Sequence, residues 1–158
     1  MTRAARVGLL DVNVLVALFD PDHVHHEVAH DWFADHREQG WATCPLTENG
    51  FVRVVSNPAY GLEGLRAEGA LTLLKTFLGA GHHVFWPAAL SLTDRRLFDL
   101  SLAAGHRQLT DIYLLGLATA REGCLVTFDR GIPRAAVKDA SPEALCVIAP
   151  RTGGANAP

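Results

Sequence analysis

Lysine is almost missing from this 158-residue chain: only Lys75 and Lys138 stand beside the arginines that make up the rest of its fourteen basic residues. That scarcity counts against a phosphatase or receiver-like phosphoacceptor site, which sets a lysine near strand-end aspartates, because neither lysine follows a predicted strand. Cysteine is also sparse. Cys44, Cys124 and Cys146 lie in apolar strand-like runs with no C-x-x-C spacing, so they read as small reduced core residues rather than a disulfide or zinc framework. No apolar run approaches twenty residues and the first residues carry no hydrophobic signal region, so a soluble, cytoplasmic protein with no membrane contact is expected. No Gly-rich phosphate loop, internal repeat or low-complexity stretch is present. The net charge of −3 excludes a generally basic nucleic-acid surface, so any such contact must be local.

What the chain does have is a core: 49% of its residues are hydrophobic, enough for one domain and too few residues for two. Strand-like and helix-like segments alternate, the pattern of a parallel sheet covered by helices. Strands are expected over 7–10, 41–46, 82–86 and 124–128, with an edge strand over 145–148. Helices are expected over 13–19, 25–38, from Thr47 as N-cap through Val55, over 65–78, over 93–102 in a less regular form, and over 111–122 with Thr110 as cap. A short helix over 131–137 is also expected. The predicted fold is therefore a single α/β domain over 1–149, with a central, mostly parallel sheet of four to five strands flanked by helices. A mobile tail of Gly, Ala and Pro would occupy 150–158.

Four acids stand where a strand gives way to a helix or where a helix starts: Asp11 after VGLL, Glu48 after CPLT, Asp111 after HRQLT and Asp129 after CLVTF. In an open parallel sheet the carboxyl ends of the strands share one edge, so acids distant in sequence converge there. Two unit charges about 4 Å apart repel by roughly 4 kcal/mol at an effective dielectric near 20. Such a cluster either holds some acids protonated or binds a hard cation through oxygen. With no Cys or His at a strand end, Mg²⁺ or Mn²⁺ fits better than zinc.

Each acid also has a plainer explanation. Asp11 can cap the following helix, Glu48 and Asp111 can favour the positive end of theirs, and Asp129 can form a turn. His26 and His30, spaced as zinc ligands on a helix are, sit at the polar start of an amphipathic segment and lack a third partner at a clear spacing. His82 and His83 read as structural or exposed. Trp32, Trp41 and Trp86 fall within apolar periodicity and read as core. Arg53, Arg95, Arg96, Arg107, Arg130 and Arg134 lie near the acid-bearing segments, most of them as solvated surface charges.

The segments LLDVNVLVALFD, LTENGFVRV, LTDIYLLGLA and EGCLVTFDRGI, taken in order and spacing, resemble the motifs of PIN-domain endoribonucleases, and most closely the toxin halves of VapBC toxin–antitoxin pairs. The resemblance covers nearly the whole chain. It implies a small α/β fold with an acidic pocket that binds Mg²⁺ or Mn²⁺ and hydrolyses RNA phosphodiesters, with Asp11, Glu48, Asp111 and Asp129 at the four acidic positions. Asp11, Asp111 and Asp129 would be metal ligands, and Glu48 either a ligand or the orienter of the attacking water. Asn13 and Thr127 fall where polar partners hold the carboxylates, and Arg130 is a candidate phosphate clamp. The resemblance further implies a cognate VapB-type antitoxin and a homodimer, with aliphatic faces of the first two helices and of the 65–78 helix as candidate surfaces. A phosphatase or phosphoacceptor domain, and a catalytically idle PIN-like binding module, are the competing readings.

Overall fold

Five short parallel strands form one sheet in the order β3-β2-β1-β4-β5, with β1 (Gly8–Leu10) at its centre between β2 (Trp41–Thr43) and β4 (Cys124–Thr127). The outer strands are β3 (His83–Phe85), beside β2, and β5 (Leu145–Val147), beside β4. This structure, a computed structural model, describes residues 5–61 and 64–150. Apart from residue 150, the expected tail lies outside the described residues.

Side chains alternate across a strand, so β1 feeds two cores. Leu9 joins one with Ile112, Leu114, Leu115 and Leu125, beneath α5 (Leu109–Ala120). Leu10 joins the other with Leu15, Phe33, Trp41, Phe51 and Leu74, beneath α1 (Val12–Phe19), α2 (His26–His36), α3 (Pro45–Val55) and α4 (Ala67–Phe77). The central strands are buried on both faces, which is why they read as continuous apolar runs. Trp32, Trp41 and Trp86 are all buried. A side chain at Gly8 would meet the Trp32 ring at 2.7 Å, so glycine there is what lets α2 close on the sheet. The aliphatic residues of α1 and the large apolar residues of α2 are core, leaving Leu71 and Leu73 of α4 as the exposed part of the candidate surfaces.

Several expected boundaries are corrected. The strand expected over 41–46 ends at Thr43, because Pro45 opens α3. Cys44, not Thr47, is the N-cap; Thr47 sits in the first turn and its hydroxyl accepts from the Cys44 amide at 3.0 Å. Thr110 likewise lies inside α5, which starts at Leu109 behind Gln108. No α-helix covers 93–102. Phe98 instead pairs as an antiparallel bridge with Val137 and drives its ring against Gly116 of α5, and only Leu100–Leu102 form a 3-10 turn. The short helix expected over 131–137 is a single 3-10 turn, Arg134–Ala136.

Candidate active site

The carboxyl ends of β1 and β4 lie side by side, Leu10 opposite Val126, and each is followed at once by an acidic segment. Asp11 is 7% exposed and does two things there. Its Oδ1 accepts from the Val12 amide at 2.7 Å, capping α1, while Oδ2 accepts from the Thr127 hydroxyl at 2.9 Å. Thr127, fully buried at the end of β4, also receives the Asp129 amide at 3.1 Å. One threonine thus ties the two strand ends together through the acids that follow them. Asp129 caps its own turn, accepting from the Gly131 amide at 2.7 Å, and is exposed. Asp111, in the first turn of α5, is half-buried.

The three aspartates lie within electrostatic reach of one another. Burial raises Asp11 above its ordinary range against the pull of Thr127 and the Val12 amide, and the charge of Asp129 pushes the same way. Asp111 is pushed up to about 7, first by burial and then by the charges of Asp11 and Asp129. Among the described residues no basic side chain is among the groups that shift Asp11 or Asp111, and a bound cation or a retained proton would relieve the cost. The donor set is oxygen alone, which suits a hard cation. The side chains are not drawn into a closed coordination shell: among the described residues no three His, Cys, Asp or Glu side chains gather as a metal-binding group.

Glu48, in the first turn of α3, has a different set of partners. Its carboxylate is not among the charges that shift Asp11 or Asp111. Its Oε2 accepts from the buried Thr43 hydroxyl at 2.7 Å, and Thr43 in turn contacts His83 Nε2 at 2.8 Å. The His83 ring packs on Trp41 with centroids 4.6 Å apart, and burial lowers its pKa with only partial compensation from Glu48. Sequence reasoning left His83 as structural or exposed and passed over Thr43. The His83 contact depends on β3 lying next to β2, which no local signal carries.

Of the remaining candidates, Asn13 is exposed on the first turn of α1 and Arg130 is exposed beside Asp129. Arg96 is occupied by Asp94 at 3.0 Å, and Arg134 donates to the Ala140 carbonyl at 2.7 Å. His26 Nδ1 lies 2.6 Å from the Ala17 carbonyl, so that nitrogen serves the end of α1. Lys138 sits by Asp94 and Asp99, not by the aspartate trio.

A PIN domain family model matches residues 8–138, a span that contains all four acids. The chain belongs to the PIN-domain family, in its VapC branch. Ribonuclease VapC44 of Mycobacterium tuberculosis (strain ATCC 25618 / H37Rv) is 44% identical over 141 residues, covering 89% of this chain and 99% of the relative. Ribonuclease VapC38 of the same strain is 44% identical over 126 residues, 80% of this chain and 87% of the relative. Ribonuclease VapC39 is 40% identical over 125 residues, 79% and 90% respectively. Membership agrees with the single parallel sheet and the helices that flank it.

Proposed function

We propose that this VapC-family chain is an Mg²⁺- or Mn²⁺-dependent endoribonuclease, the toxin of a type II toxin–antitoxin pair. The observation that carries the chemistry is Thr127 tying Asp11 and the Asp129 backbone together at the strand ends, near Asp111, which burial first and then the charges of Asp11 and Asp129 push up to about 7. Those three residues would hold the cation, with Thr127 fixing both Asp11 and the Asp129 backbone. The cation, when bound, supplies Lewis-acid polarisation of the scissile phosphate and charge neutralisation. Asp11 is preorganised by two donors and needs no rearrangement of its own backbone to bind. Arg130 clamps a neighbouring RNA phosphate, and Asn13 lines the same edge. Two lysines, neither beside the trio, weigh against the phosphatase and phosphoacceptor readings, and a full set of four acids weighs against an idle module.

A cognate VapB-type antitoxin and RNA are the partners this family membership supports. The exposed Leu71 borders a groove with Val52 and Leu74 between α3 and α4, which suits an amphipathic antitoxin segment or a second copy in a homodimer. No helix among the described residues is long and apolar enough to cross a membrane. A cytoplasmic location follows for an enzyme whose substrate is cellular RNA. The test is incubation of antitoxin-free protein with total RNA, with and without Mg²⁺ or Mn²⁺. Discrete cuts that need both cation and Asp11 support the reading; cation-independent cuts, or none from folded protein that binds Mn²⁺, overturn it.

A further inference from the structure

We propose that His83 and Thr43 form a hydrogen-bond relay that fixes Glu48 as the residue acting on the attacking water. The inference rests on the nuclease reading above and goes further by assigning positioning roles to two residues on strands β2 and β3. The Thr43 hydroxyl has one proton. If it donates to Glu48 Oε2 at 2.7 Å, its contact with His83 Nε2 at 2.8 Å requires the imidazole to donate. The bonds therefore run in one direction, from His83 Nε2–H to Thr43 and from Thr43 O–H to Glu48. Thr43 is fully buried, so a hydroxyl there without both partners would be costly.

Two further observations locate the end of the relay. Gly50 leaves the space that Val12 fills, so α3 packs directly on the residue that follows Asp11. Glu48 lies in the first turn of α3, which follows β2 directly, and β2 pairs with β1, so Glu48 stands at the same carboxyl edge of the sheet as Asp11. With Oε2 engaged by the Thr43 hydroxyl, Glu48 has Oε1 left to serve water at that edge. In the step it serves, the water oxygen bonds to phosphorus and the bond from phosphorus to the leaving ribose oxygen breaks. The water proton passes to Glu48 Oε1, the oxygen not engaged by Thr43, and the leaving oxygen takes a proton from solvent. Glu48 then returns its proton to solvent.

The test compares Thr43→Val, Thr43→Ser, His83→Leu, His83→Gln, Glu48→Gln and Thr43→Val/Glu48→Gln in the full chain. Mn²⁺ binding by calorimetry, the rate of total-RNA cutting, and the His83 tautomer by ¹⁵N NMR are measured for each. Thr43→Val and His83→Leu should slow cutting by about 10- to 100-fold with Mn²⁺ affinity unchanged. Serine and glutamine, which keep the hydroxyl and the donor, should restore most of the rate. The double variant should be no slower than Glu48→Gln alone, since Thr43 acts only through that carboxylate. Wild type should show the Nε2–H tautomer, and Thr43→Val should lose that preference. A wild-type rate in Thr43→Val, or loss of Mn²⁺ binding in Glu48→Gln, overturns the proposal. If wild type itself cuts no RNA, the nuclease reading fails; a His83 tautomer indifferent to Thr43 sinks the relay separately.

Discussion

Asp11 and Asp20 are near twins by burial, at 7% and 9% exposed, and each accepts a hydroxyl proton, yet their carboxyls are shifted in opposite directions. Asp20 ends α1 and accepts from the Tyr60 hydroxyl at 2.6 Å and from the Asp22 amide at 3.0 Å, with His23 and His26 near by. Those donors outweigh its desolvation and hold it below the ordinary range. Asp11 has Thr127 and the Val12 amide, but desolvation of its carboxyl, with the charge of Asp129 added, outweighs them, and it rises. Burial alone therefore does not mark a functional acid. Desolvation of the carboxyl weighed against its donors separates the two, and by that measure Asp20 is a structural latch while Asp11 is the acid the proposed cation site calls on.

The contrast breaks most sharply in the activities of variants at the two places. Asp11→Asn should cost at least about 100-fold in metal-dependent RNA cutting, the scale of losing a preorganised electrostatic contact. Calorimetric melting should show that same variant at least as stable as wild type without metal, because the substitution removes a disfavoured charge. Wild type in Mn²⁺ at a hundred times its Kd should gain about 2.7 kcal/mol of stability, a gain that Asp11→Asn forfeits. Tyr60→Phe does the reverse: denaturant unfolding should report a loss of about 1.5 to 2 kcal/mol, as for a hydrogen bond to a charged acceptor, with cutting per folded molecule unchanged.

The pH dependence of metal-free protein sharpens the comparison further. Asp111 keeps its proton in the fold to about 7, whereas in the unfolded chain it releases it near 3.8. The folded state thus binds more protons across that window, and stability falls as pH rises from about 4 to 7. Because Asp111 is half exposed, solvent screening limits the effect to on the order of 1 kcal/mol. Asp111→Asn should flatten that slope in urea titrations run at successive pH values. Asp20, depressed below 3.8, contributes stability that is present above that value and disappears only as pH drops further. The smallest effect expected is for the exposed Arg130, where Arg130→Ala should raise KM for RNA by no more than about fivefold with kcat retained.

Much of this was legible in the chain because its signals are local. The run CLVTF gave β4 at once, and Asp11 and Asp129 were found as the residues that end their strands. The four-motif resemblance set the fold and the acids together. What escaped depends on contacts between distant segments. The helix expected over 93–102 loses to the bridge between Phe98 and Val137, where the Asp99 amide also donates to Ala136. Thr47 and Thr110 carry N-cap chemistry, but Pro45 and the preceding turn at His106–Gln108 start their helices earlier. The Thr43–His83 and Asp20–Tyr60 pairs each join residues 40 apart in sequence, the first brought together by the β2–β3 pairing and the second by the packing of α1 on α3.

The most direct measurement of the central claim is cutting of total RNA by wild type, Tyr60→Phe and Asp11→Asn side by side, in Mn²⁺ and in chelator. Discrete metal-dependent cuts by the first two and none by folded Asp11→Asn are predicted. Equal cutting by Asp11→Asn, or cutting that survives chelation, would contradict a cation site built on the three aspartates.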